Sequence, residues 1–302
     1  MRKVAEELAY QPNQLASALR NGRSNLVGVI IPRTNSYFFS SVVESLEEEL
    51  NKNGYNVVVT QSNESFEKEC RNIEALLQIQ VDGIIASMAN ETTDLMPYQK
   101  IKEKGIPLVF FDRGENDLGV DFIGIDDYQS SHMIVKHLVD QGCKRIAHIG
   151  GFSRTRIYKE RIKGYKDALA KYHLPEDECL LLEGELTIAD GREKMEELLG
   201  LDLVPDAVYA AGDYAALGAL QVLQERGIKV PQDVALVGFS NEPFTSLVSP
   251  AITTVNQHNH DIGKLAAKQF LTRINDKKWK PVLNNIILQP ELLQRASSLI
   301  TE

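Results

Sequence analysis

Four polar residues stand just beyond the carboxyl ends of short apolar runs. Asp112 and Arg113 follow PLVFF (107–111), Asp213 follows AVYAAG (207–212), and Asn241 comes two residues after VALVGF (234–239). Tyr214 adjoins the second of these, and TNSYFF (34–39) brings Phe38 and Phe39 to the end of the first run, LVGVII (26–31). Carboxylate, guanidinium and amide groups hydrogen-bond vicinal hydroxyls, and aromatic faces cover the C–H side of a sugar ring. The set predicts non-covalent capture of a small, polar, sugar-like molecule without a cofactor, though nucleobases are held with similar parts. Each residue also has a purely architectural alternative. An aspartate at a strand end caps the following helix, and Phe38 and Phe39 can fill a core.

Other chemistries fail on spacing. VGFSNE (237–242) approaches the nucleophile elbow G-x-S-x-G, but Glu242 stands where the second glycine belongs and no catalytic histidine is identifiable. Gly150-Gly151 after a strand has neither a P-loop lysine nor G-x-G-x-x-G spacing, so only a sugar phosphate near Ser153 and Arg154 stays open there. His258 and His260 flank Asn259 without an evident third ligand, so no metal is expected. Cys70, Cys143 and Cys179 are dispersed and outside any CxxC, which fits a reducing cytoplasm rather than a disulfide framework. An enzyme is not expected.

The elements that must position the polar set recur at even intervals. Strand-like runs begin near residues 26, 56, 83 and 107, and again near 145, 180, 207 and 234. That cadence is too long for hairpins and suits a strand, a crossover helix and the next parallel strand. Runs apolar throughout suit strands buried on both faces. SSVVESLEEELNKNG (40–54) and ALGALQVLQERG (216–227) read as amphipathic helices ended by glycine. The predicted fold class is α/β, with two doubly wound parallel-sheet subdomains joined by a multi-strand hinge. The helix and the strand NNIILQPELL that follow residue 252 suit a chain returning to the first half and then to the second. The expected crossings lie near 124–128, 252–256 and 277–283. These give a first subdomain of 26–125 plus 255–278 and a second of 126–254 plus 279–302. A cleft at the carboxyl ends of the strands is where open α/β sheets bind ligands.

The chain has 302 residues, 43% apolar and 25% charged, the composition of a globular protein with about two domains. No run approaches the ~18 apolar residues of a membrane span, and the N-terminus lacks the apolar core of a secretory signal. The net charge is −9, yet residues 1–25 carry Arg2, Lys3, Arg20 and Arg23 against only Glu6 and Glu7. Helical runs 2–9 and 13–21 are separated by Pro12. They pack on the body, or they form against a partner such as a DNA minor groove, which accepts apolar wedges with basic flanks.

The order of motifs resembles the lactose-repressor type (LacI/GalR) of bacterial transcription regulators over essentially the whole chain. KVAEELAYQPNQLASALRNGRSNLVGVIIP (3–32) matches the junction of headpiece and core. FFDRG (110–114), GIDDYQSS (124–131), KRIAHIGG (144–151), ERIKGY (160–165), AAGDYAALGAL (210–220), DVALVGFSNEP (233–243) and ITTVNQ (252–257) follow in sequence. The resemblance implies a periplasmic-binding-protein-like core, a hinge helix, a homodimer, operator DNA and a small-molecule effector. It adds Arg161 and Asp126 to the effector set and supports Phe38, Phe39, Asp112 and 239–241. It also implies phosphate contacts for Tyr10 and Asn13 and a minor-groove face of Leu15 and Leu19. Arg20 and Arg23 would add salt-sensitive phosphate contacts. Residues 1–25 then form the remnant of the headpiece with its hinge helix. The chain begins inside what would be the headpiece's third helix, so residues 1–302 alone are expected to bind operator weakly or not at all.

Ser240-Asn241 stands where the family often has paired aspartates, Gly212 where it has asparagine, and Leu186 where an aromatic is sometimes found. The expected effector is therefore unlike lactose analogues or purines. The expected dimer pairs through helix 40–53 and through 213–226 and 243–250. An exported solute-binding protein would share the fold but needs a signal sequence. A sugar-modifying enzyme needs a nucleophile and base that are not evident.

Overall fold

Apolar β-branched runs with nowhere else to bury two faces pair in parallel between helix layers, and they do so twice. In the computed structural model, which describes residues 23–115, 118–275 and 283–300, the first lobe holds a six-stranded sheet. Its strands are β1 (Leu26–Ile31), β2 (Asn56–Gln61), β3 (Gly83–Ala86), β4 (Leu108–Phe111), β5 (Asp121–Ile125) and the late β11 (Asn285–Leu288). The order is β11-β5-β4-β3-β1-β2, with every neighbouring pair parallel. Helices α1 (Tyr37–Lys52), α2 (Phe66–Gln78) and α3 (Met96–Glu103) belong to this lobe, as does α8 (Asn259–Asn275), which packs on α1.

The second lobe carries β6 (Ile146–Gly151), β7 (Leu181–Gly184), β8 (Ala207–Ala210) and β9 (Ala235–Val237) in the parallel order β7-β6-β8-β9. Its helices pair as α4 (Asp127–Asp140) with α5 (Arg156–Lys171), and α6 (Ile188–Leu199) with α7 (Asp213–Glu225). Glycine sets the closeness of one pair: a Cβ on Gly218 would fall on the Ile188 carbonyl oxygen, so α7 lies directly against the backbone of α6. β10 (Thr254–Asn256) and β12 (Glu291–Leu293) form an antiparallel ribbon at the waist. One apolar cluster runs through both lobes and includes Ile125, Phe239 and Val255 near the crossings.

Three sequence expectations need correction. NVVVT does not have two buried faces: β2 is an edge strand, partly exposed along its length, with Val59 open to solvent. DFIGI, not anticipated as a strand, is β5 and fully buried; its Asp121 is accommodated by Arg273 and Gln269. NNIILQPELL is two strands serving different sheets. Because Asn285–Leu288 pairs with β5 in the first sheet, the last crossing lies beyond residue 288 and not at 277–283. Assigning all of 279–302 to the second subdomain was wrong for that strand. The chain returns to the second lobe after β12, where Leu236 N donates to Ser297 O.

Candidate effector cleft

Between the lobes lies a cleft of about 440 Å³, opening at the carboxyl ends of both sheets. The first lobe contributes Arg33 beyond β1, the first turn of α1, Glu64 beyond β2 and the Asp112-Arg113 corner beyond β4. From the second come Tyr158 and Arg161 of α5, the segments 185–189 and 211–214, and Ser240 and Glu242.

Phe38 and Phe39 are buried in that first turn, their rings edge-on with centroids 5.1 Å apart. They serve core and cleft together, since Phe39 also meets Phe111 and both line the cavity. Asp112 has φ +57, in the left-handed region that aspartate adopts more readily than most side-chain-bearing residues. Burial pushes its carboxyl up to about 6. The Arg113 guanidinium donates to Glu64 Oε2 at 2.7 Å and to Tyr158 Oη in the other lobe at 3.4 Å. Its Nε, 3.7 Å from Asp112, makes no hydrogen bond among the described residues. The ring faces of Phe39 and Tyr158 lie within 5.9 Å of this guanidinium, so a buried cation sits between carboxylates and π-faces.

Arg161 is likewise buried. It donates to Asp127 Oδ1 at 2.8 Å and to the Ala211 carbonyl at 3.0 Å, and stacks 3.6 Å over the Phe239 ring. Asp213 lines the cleft but spends its carboxylate inside the second lobe. Oδ1 accepts from Thr254 Oγ1 and Oδ2 from Glu242 N, both at 2.7 Å. Those bonds offset burial only in part, and its carboxyl rises to about 7. Tyr214 lines the cleft with its ring against Phe244.

Two anticipated residues stand elsewhere. Asp126 caps α4, accepting from Gln129 N at 2.8 Å, and the neighbouring Asp127 is the one that meets Arg161. Asn241 is outside the lining; it adopts φ +53 and accepts from Arg295 at 2.8 Å, tying its loop to the waist. Tyr10, Asn13, Leu15, Leu19 and Arg20 lie outside the described residues. Arg33, Glu64, Tyr158, Glu242 and Gln257 were missed. Tyr158 is detectable in principle, one helical turn before Arg161 on the same face, and Glu242 sits one residue beyond the strand-end position that was chosen. Glu64 gives no local signal, since its partner Arg113 is 49 residues away. His258 and His260 belong to no metal-ligating cluster among the described residues.

A family model for the periplasmic-binding-protein-like domain matches residues 135–298. The chain is 32% identical over 277 residues to catabolite control protein A of Priestia megaterium, covering 91% of this chain and 82% of that protein. It is 31% identical to the HTH-type transcriptional regulator DegA of Bacillus subtilis, covering 98% and 87%. The solved complex of the transcriptional regulator CelR with cellobiose superposes with a TM-score of 0.83 at 29% identity, covering 98% of this chain and 89% of that one.

Proposed function

This chain belongs to the LacI/GalR family of ligand-responsive bacterial transcriptional regulators, and from that premise we propose that the interlobe cleft is its effector site and that the effector is a sugar or sugar derivative. The observation that carries this is the lining itself. Aromatic faces from both lobes flank Asp112, Arg113 and Arg161, whose polar atoms converge on one cavity large enough for a small sugar. A ligand touching both lobes favours one interlobe angle and shifts the population toward it. In a homodimer paired through the first lobes and through 243–250, where Leu247 is 82% exposed, that angle sets the spacing of the two 13–21 segments. The hinge helices then form or melt at the operator, with Leu19 of each chain as the wedge in the minor groove. The protein acts in the cytoplasm without enzymatic turnover. Among the described residues no helix is long and apolar enough to cross a membrane.

Calorimetry with ribose, glucose, cellobiose and related sugars tests the reading, with Arg161→Lys as control. Lysine keeps the charge but loses the planar fork that serves Asp127 and Ala211 together. Saturable binding without turnover, weakened by about tenfold or more in R161K, supports it. Affinity unchanged by the substitution would place the effector elsewhere.

A further inference from the structure

We propose that the cleft selects an uncharged polyhydroxylated effector and rejects the phosphorylated or carboxylated form of the same molecule. This rests on the cleft being the effector site and adds the charge class of the ligand. Five carboxylates line the cavity, Glu64, Asp112, Glu185, Asp213 and Glu242, against three guanidinium groups. All three cations already face carboxylates. Arg113 holds Glu64 at 2.7 Å, Arg161 holds Asp127 at 2.8 Å, and Arg33 stands 3.5 Å from Glu64 and 3.9 Å from Glu185. An anion pairing with Arg113 or Arg161 must compete with a carboxylate that already holds that cation in a buried pair, where losing the cation is costly. Arg33 and Glu185, by contrast, are partly exposed at the rim.

The unspent hydrogen-bonding groups fit hydroxyls instead. Among the described residues Arg113 Nε is a buried donor without a partner, while the Gln257 amide gives one end to Ser240 Oγ and leaves Oε1 unpartnered. Both atoms are closed to solvent, so a ligand reaches them by a small shift of these side chains. Both side chains are more than nine-tenths buried and both line the cleft. A hydroxyl donates and accepts, so hydroxyls suit a lone donor, a lone acceptor and the Asp112 carboxylate alike. A phosphate dianion only accepts and has nothing to offer Gln257 Oε1 or the carboxylates. The raised carboxyls of Asp112 and Asp213 point the same way, since a cavity that resists its own negative charge resists a visitor's.

The test is calorimetry on matched pairs: glucose with glucose 6-phosphate and gluconate, ribose with ribose 5-phosphate, and fructose with fructose 6-phosphate. Gly212→Phe serves as a blocked-cleft control, since Gly212 lines the cavity in an extended conformation that accepts a side chain. In whichever pair binds, the uncharged member should be tighter by at least about 100-fold. Glu64→Gln, which leaves Arg113 without its full counter-charge, should narrow that ratio by about tenfold through a gain in ester affinity. That gain is one that general loosening of the fold would not give. A phosphate ester or gluconate binding the native protein as tightly as its parent sugar overturns the proposal and leaves the cleft as the effector site. Binding by no member of the panel, or binding undiminished in G212F, overturns the cleft assignment and this proposal with it.

Discussion

The Glu242 carboxylate, buried in the second lobe, reaches across the cleft to Tyr37 N, the first amide of α1 in the other lobe, with Oε2 at 3.4 Å. Its Oε1 accepts from Ser36 Oγ at 3.3 Å. The opening amides of a helix have no partner within it, and Ser36 makes no capping bond with its own side chain. A carboxylate from the facing lobe therefore supplies the acceptor and complements the helix dipole. Nearby, Arg154 donates to the Asn90 carbonyl at 3.1 Å and Thr155 to the Asn90 side chain at 3.2 Å, again between lobes. These bonds exist only while the cleft is narrow.

Removing the carboxylate should open the molecule. For Glu242→Ala, small-angle scattering of the ligand-free protein should report a larger radius of gyration than the native chain gives. The long, charge-assisted contact is worth about 1 kcal/mol, so the closed fraction and the apparent sugar affinity fall by about fivefold. Glu242→Gln, which keeps an acceptor oxygen, should lie between. Scattering curves that superpose for all three proteins would show that the contact follows closure and does not favour it.

Arg161 and Asp127 form a buried ion pair 2.8 Å apart. Truncating Arg161→Ala strands the Asp127 carboxylate and removes the guanidinium from the face of Phe239. The expected cost is about 3–5 kcal/mol of unfolding free energy by urea titration. The added change Asp127→Asn should recover a substantial part of it, because the stranded charge is gone. A double variant no more stable than R161A alone would assign the loss to packing against Phe239.

Gly218 offers a test of the helix pair that carries the rear wall of the cleft. An alanine methyl there meets the Ile188 carbonyl oxygen and comes within 2.9 Å of Arg192 N. Backbone atoms cannot step aside as a side chain can, so α7 must move off α6. Gly218→Ala should cost about 1–3 kcal/mol. By contrast Gly54→Ala, with nothing within 4 Å of an added Cβ but φ +81, should lose only the smaller cost of left-handed backbone, about 1 kcal/mol. Equal thermal shifts for the two would contradict the close approach of the helices.

Strand rhythm made the two sheets legible, because eight apolar runs at crossover spacing leave few ways to bury themselves. β5 escaped because Asp121 opens it and Gly124 interrupts it. Only the fold supplies the Arg273, 152 residues distant, that lets the aspartate be buried. The same limit governed the cleft. Strand ends located Asp112, Arg113, Asp213 and Tyr214, since topology alone brings those positions together. Whether a carboxylate faces the ligand or a neighbour depends on partners no local pattern reveals. Asp126 and Asp127 are adjacent in sequence, yet one caps its helix while the other holds the cleft-lining Arg161. The split of NNIILQPELL at Gln289-Pro290 was written in the sequence as a proline, but which sheet each half joins was not.

Asp213 makes stability depend on pH in a direction opposite to that of a salt-bridged carboxylate. Paired carboxylates usually titrate low, as Asp121 does beside Arg273, and then lose stabilisation in acid. Among the described residues Asp213 has no cation in hydrogen-bond contact, and burial lifts its carboxyl from the ordinary 3.8 to about 7 despite the bonds from Thr254 and Glu242 N. Between those values the folded chain holds a proton that the unfolded chain has released. Its contribution to stability is complete below the unfolded value and is lost as pH rises through about 7. Asp213→Asn is neutral at every pH and removes this dependence while keeping the side chain's shape. Urea unfolding at pH 4.5, 6 and 8 should therefore show the native protein losing stability relative to D213N as pH increases. Asp112 and Glu242, raised by burial in the same sense, remain in both proteins and cancel in the comparison. A native protein that keeps a constant stability relative to D213N over this range, or gains on it as pH rises, would mean that Asp213 is ionised in the folded state.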